Sequence, residues 1–341
     1  MKLKIMTLAL LGMLIVAGCD EIQDIVSEEE LQQALQALVE ADEAFSLDGM
    51  GDDGLLDDEY DFDEGSLSKG LVLDKGRVDT LWPGLFRGIR WGRTITERSW
   101  ELTFDDLGED TAYATLTGSI AGELRVGGWV RSNDSTILME DTLTKPFTLT
   151  TTRRVRFARA GDTGDPLDDW RIDGLTALLG TAGDKVAVET ISFSLSDSGE
   201  TYFSLERDDV LNRFFNRENL PTFKPLLPVK AYMAISNTGP EFPLGTGEKV
   251  VFRRVGQHAI GYRFMHRRQL NDLGLGVDET AGDNVYSGLW YPRSQPAHSR
   301  PYRAFVEVLD LASLFVEEES FHTEFIGLPY RVINDTQRRP F

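Results

Sequence analysis

Disulfide bonds are the first thing this chain of 341 residues cannot form internally, because it holds one cysteine, Cys19. Its folded parts must therefore stand on apolar cores alone. Histidine is nearly as scarce: there are four, none of them between Met1 and Gln257, which argues against histidine-dependent catalysis in that stretch. His258, His266 and His298 fall into no HExxH or other metal-ligand spacing. No GxSxG elbow or P-loop occurs, and Gly180-Thr181-Ala182-Gly183-Asp184-Lys185 misses the P-loop spacing. Ser66-Leu67-Ser68-Lys69 has the S-x-x-K form but lacks the KTG partner. The six tryptophans keep no fixed interval and no internal repeat is present, so a sugar-binding stripe is not supported. No cofactor is implied.

Basic residues are missing from one stretch altogether. Residues 20–65 carry 18 Asp and Glu and no Lys or Arg. Set against Lys2 and Lys4, these leave −16 for residues 1–65, and so only −5 of the total −21 for the remainder. With no dominant basic face, nucleic acid is not an expected partner. Hydrophobic residues at 41% and aromatics at 10% are enough for real cores, and the length suits two domains.

What is present begins at the start of the chain. Lys2 and Lys4 precede an apolar run from Ile5 to Ala17, about 13 residues, where a membrane span needs ≈ 20. A basic start, a short apolar core and small residues form a secretory signal pattern. Val16-Ala17-Gly18-Cys19 then resembles the lipobox of bacterial lipoproteins, an aliphatic residue and two small ones before cysteine. The resemblance covers residues 1–19 and implies that the Cys19 thiol carries a diacylglycerol, with cleavage just before it. Each buried CH₂ adds about 0.8 kcal/mol, so several acyl chains on one residue anchor stably. The implied location is the bacterial cell envelope, with the membrane as a partner through Cys19. Asp20 and Glu21 match conflicting sorting rules, so the leaflet stays open.

Residues 20–69 read as an acidic tether containing a helix over about 27–47. Ser27 and Glu30 have capping-box spacing, and Leu31, Leu35, Leu38 and Phe45 form one apolar stripe. The expected place of this helix is docked on the first domain. Asp48, Asp52, Asp53, Asp57 and Asp58 are weak Ca²⁺ candidates, since clustered carboxylates suit a hard cation. The EF-hand spacing fails there, and a like-charge run of this kind is ordinarily a solvated linker.

Residues 70–176 read as an α+β domain. Arg87 to Arg93 is loop-like. Arg98–Phe104, Thr111–Val126 and Phe147–Ala160 alternate as strands, and interior glycines mark a bend. Arg153, Arg154, Arg156 and Arg159 are expected on a solvated sheet face, although such a strand could also bind an anion. One helix ahead of long bent strands, closing on Asp169-Trp170-Arg171-Ile172, is similar to the nuclear-transport-factor-like cone fold. That resemblance implies a pocket, and an Asp base acting with Tyr113 is the arrangement it leaves open.

Residues 177–341 read as an all-β sandwich, joined through Leu175–Asp184. Strands are expected at Val186–Leu195, Thr201–Leu205, Val229–Asn237, Glu248–Val255, Gly261–His266, Tyr302–Leu309 and His322–Val332. Such a set resembles an immunoglobulin-like sandwich without its disulfide. Arg267 to Arg300 reads as a long loop holding Asp272, Asp278, Glu279, Asp283, Trp290, Tyr291 and His298. Trp290, Tyr291 and His298 join Tyr113 as candidate ligand contacts. The expected role is an anchored binding or scaffolding protein acting on an envelope protein or small ligand. The competing reading is a hydrolase or isomerase using a pocket in the first domain.

Overall fold

The computed structural model describes residues 27–41, 60–61, 88–132, 135–216, 218–239, 247–257, 263–292, 302–315 and 321–333. Cys19, the run Asp48, Asp52, Asp53, Asp57 and Asp58, the Ser66–Lys69 motif and His298 lie outside these residues. Within them the chain is mostly antiparallel β-sheet with few helices.

Helix α1 (Glu28–Ala41) starts where the capping pair predicts. The Glu30 carboxylate accepts from the Ser27 backbone N–H at 2.9 Å, and the Ser27 hydroxyl accepts from the Glu30 N–H at 3.2 Å. Leu35 is fully buried, with Leu31, Leu38 and Val39 partly buried on the same stripe. This face closes over Ala112, Ala114, Val155, Phe157, Trp170 and Leu175.

Strand β1 (Tyr60–Asp61) pairs with the start of β2 (Gly88–Leu107), which forms a long meander with β3 (Thr111–Ser132) and β4 (Ser135–Arg159). These three strands have 20, 22 and 25 residues. The loop-like reading of residues 87–93 is corrected: from Gly88 onward they are strand, with Trp91 and Arg93 buried. Gly122 shows why the glycines are there. A Cβ on it would lie 2.1 Å from the Thr94 carbonyl, beside a register shift between Ile95 and Glu97. The bulge bends the ribbon, and only a residue without a side chain lets the two backbones meet.

A single helical turn, α2 (Pro166–Asp169), leads into β5 (Trp170–Leu175), which pairs with the far end of β4. The expected junction also needs correction, for it contains strand β6 (Leu178–Ala182). The later strands are β7 (Val186–Leu195), β8 (Thr201–Glu206), β9 (Thr222–Phe223), β10 (Val229–Asn237), β11 (Glu248–Gln257) and β12 (Arg263–Gln269). They are followed by β13 (Val285–Trp290), β14 (Tyr302–Asp310), the short helix α3 (Leu311–Phe315) and β15 (Thr323–Val332). Strand β13 falls inside the interval expected to be loop.

One sheet runs β1-β2-β3-β4-β6-β15-β14-β11-β12, and a second runs β13-β10-β7-β8. Since β6 bonds to β4 on one side and β15 on the other, the sheet passes unbroken across residues 176–177. Alternation along β14 then sorts the core. Ala304, Val306 and Val308 face the second sheet, together with Val250, Phe252, Ile326 and Leu328. Phe305 and Leu309 face the other way, onto Trp91, Leu124, Phe147 and Leu149 of the meander and Leu311 and Leu314 of α3. The central strands are thus buried on both faces, which explains their nearly continuous apolar runs.

Candidate functional site

The four residues singled out from sequence do not converge. Trp290 is a core residue, with its ring 4.6 Å from that of Phe223 and 5.2 Å from those of Phe252 and Tyr330. An indole surrounded this way contributes packing rather than a contact surface. The next residue, Tyr291, is exposed. Tyr113 points away from the α1 side of the meander, because Ala112 and Ala114 take the buried positions. Its ring lies edge-on to Phe214 at 5.7 Å, and the guanidinium groups of Arg154 and Arg156 lie over the same Phe214 ring at 5.7 and 5.3 Å. Asp173 accepts from the Arg156 Nε at 2.8 Å, and Arg154 lies 3.7 Å from Asp105. Tyr113 therefore helps to clamp the segment around Phe214 onto the outer face.

A second group of residues does converge, at one end of the two-sheet core. The segment after β12 turns back along β13, with Asn271 and Ser287 exchanging backbone hydrogen bonds. Inside that turn, Asp272, Asp278 and Asp283 bring one carboxylate oxygen each to within 4.8 Å of one another. Asp272 and Asp278 are buried and Asp283 is exposed. Gly274 and Gly282, at φ of 67° and 74°, take the left-handed conformation that the turn requires. Asp272 accepts from the N–H groups of Gly282 at 2.7 Å, Asn284 at 2.9 Å and Asp283 at 3.2 Å. Asp278 accepts from Leu273 at 2.6 Å and Gly274 at 2.7 Å. Three carboxylates at this spacing are a donor set of the kind a divalent cation takes. Here, however, amide hydrogens already occupy both oxygens of Asp272 and one oxygen of Asp278, so the cluster ties its own loop together.

Next to that loop stands a pair that sequence reading missed. Glu248 and Asp310 are direct partners across β11 and β14, both buried and both facing the second sheet. Asn237, at the end of β10, donates from its side-chain nitrogen to Glu248 at 3.0 Å and to Asp310 at 3.3 Å. Burial holds the Glu248 carboxyl above its ordinary range, and the charges of Asp310 and Asp272 push it the same way. Hydrogen bonds from Asn237 and Tyr286 oppose them. Strand parity carried the signal: Glu248, Val250 and Phe252 alternate inward, as do Ala304, Val306, Val308 and Asp310. An acid at each inward position marks a buried carboxylate. A perturbed carboxyl of this kind is what an enzymatic reading looks for. It lies in the second half of the chain, not in the region where the pocket was expected.

Comparison of the chain with protein-family models, with curated proteins and with solved structures finds no match.

Proposed function

We propose that this chain is a lipid-anchored protein of the bacterial cell envelope. Its β-rich body binds or scaffolds an envelope protein or a small ligand. The observation that carries this reading is the run Val16-Ala17-Gly18-Cys19, placed directly after a basic start and a short apolar core. The chain's one thiol stands where the lipobox pattern requires it. No helix among the described residues is long and apolar enough to cross a membrane. The acidic stretch of residues 20–65, whose helix α1 packs on the meander, serves as the tether between the lipid and the body.

At the level of architecture, we liken the bent meander beneath α1 to a cone-like α+β unit. The two facing sheets of the second half we liken to an immunoglobulin-like sandwich. The bodies of such proteins serve as spacers and binding modules, and fold alone does not choose between them.

Expression in a bacterial host with labelled palmitate tests the anchor. The wild type is expected to take up label and sediment with membranes, and Cys19→Ser to lose both properties. Label retained on that variant, or mature protein that still begins at Met1, sinks the reading.

A further inference from the structure

Large apolar side chains left exposed on a protein surface are ordinarily scattered singly. Tyr202, Leu226 and Tyr291 are 44%, 68% and 44% exposed, yet all three lie at one end of the second sheet. Register puts them there: Val229 pairs with Leu195 on one side and Trp290 on the other, and Ser194 pairs with Thr201. The Leu226 N–H donates to the Pro292 carbonyl at 2.7 Å, beside Tyr291, and the Tyr202 ring lies 5.3 Å from that of Phe223. Leu226 is also conformationally costly. At φ of 61° it holds the left-handed region that leucine rarely enters. Strain that turns a leucine outward points to a use for the exposed side chain.

Contacts through the core connect this end to α1. Leu35 of α1 and Leu175 of β5 share one apolar cluster. Leu175 and Phe215 exchange backbone hydrogen bonds at 3.0 and 2.7 Å. The Phe215 ring in turn lies 6.2 Å from that of Phe203, the neighbour of Tyr202. Helix α1 starts just after Ser27, and from Cys19 to Ser27 the chain reaches at most about 29 Å. Docked α1 therefore keeps the patch end of the body close to whatever holds Cys19.

We propose that Tyr202, Leu226 and Tyr291 insert into the interfacial layer of the bilayer that holds Cys19, so that the body rests on the membrane by this end. The inference rests on the lipid-anchored reading and adds the surface that meets the lipid. Tyrosine has an apolar ring and a polar tip, which suit the boundary between headgroups and acyl chains, and leucine adds apolar depth. Exposed Lys224 on one side and exposed Asp197 and Glu200 in the turn before β8 give the rim both signs of charge. Apolar contact, rather than attraction to anionic lipid, is then the source of binding.

The test uses the full chain purified from the membranes of a bacterial host and reconstituted in phosphatidylcholine vesicles. Leu226→Cys, Tyr291→Cys and Leu275→Cys are each labelled with a thiol-reactive bimane. Leu275 is the control, 59% exposed in the loop at the far end of β13. A nitroxide on the lipid, just below the headgroup, is expected to quench the label at positions 226 and 291 several-fold more than at 275, and aqueous iodide to do the reverse. Tyr291→Cys decides the question if Leu226→Cys does not fold. Equal lipid quenching at both ends overturns the inference. Shielding from iodide without lipid quenching also overturns it, since a protein surface then covers the patch. Wild-type chain that itself takes up bimane has a free Cys19 thiol, which refutes the anchor and the inference together. A blocked Cys19 with no lipid quenching at 226 and 291 refutes the inference alone.

Discussion

Glu248 and Asp310 face each other across neighbouring strands, where like charges destabilise a sheet. Burial holds the Glu248 carboxyl above its ordinary 4.5 in the folded state, so the folded chain keeps a proton that the unfolded chain releases. The sign follows from that difference. This residue's contribution to stability is complete below about 4.5 and is lost as pH rises through the folded-state value. Glu248→Gln is therefore expected to be more stable than the wild type at pH 8, with the gap closing towards pH 4. Urea unfolding at several pH values measures it, and a gap that widens on acidification contradicts the assignment. The inward position of Glu248 was legible from parity with Val250 and Phe252. Its partner was not, because the pairing of β11 with β14 joins residues some sixty positions apart. The same limit applied to Trp290: its type suggested a contact surface, while its neighbours Phe193, Phe223, Phe252 and Tyr330 come from four different strands.

Elements whose cause is local were the legible ones. Helix α1 follows from a hydroxyl and a carboxylate three residues apart ahead of a leucine stripe, and the two side chains make the predicted reciprocal bonds. Ser27→Ala removes one of these acceptors and is expected to cost about 1 kcal/mol, read from urea unfolding of the full chain. A cost near zero would mean that packing of Leu35 alone sets the start of α1. Strands β7, β8 and β10 were likewise legible from alternation. Strand β6 was read as a junction and Gly88–Arg93 as a loop, both for the same reason. Glycines dilute the apolar pattern there, and in β6 the glycine is required by something distant. A Cβ on Gly180 would fall 2.0 Å from the Phe325 ring, a contact invisible to local reading.

For the whole molecule, the ion pair between Arg93 and Glu307 connects the meander to the central strands through an apolar cluster. Removing either partner strands a buried charge, so Arg93→Met and Glu307→Leu are each expected to cost roughly 3–5 kcal/mol. The double variant replaces both charges with apolar groups and is expected to recover most of that loss. A double-mutant cycle by urea unfolding checks this, and simple additivity of the two losses would refute the coupling. A corresponding clamp links the two sheets, where Arg207 donates to both oxygens of buried Glu324 at 2.7 and 2.9 Å.

The sequence by itself determined what depends on neighbours along the chain: the basic start and short apolar run ahead of Cys19, the acidic stretch without cations, the cap of α1 and the alternation of most strands. Only the tertiary structure decided what depends on neighbours in space. It carried one sheet across residues 176–177, turned Trp290 into core, folded Asp272 and Asp278 onto amide hydrogens, and sent Arg153 inward while Arg154 stayed outside. Periodicity reports which face of a strand is apolar, but the identity of the opposing face is set by pairings between distant residues, and burial and charge balance are properties of those pairings.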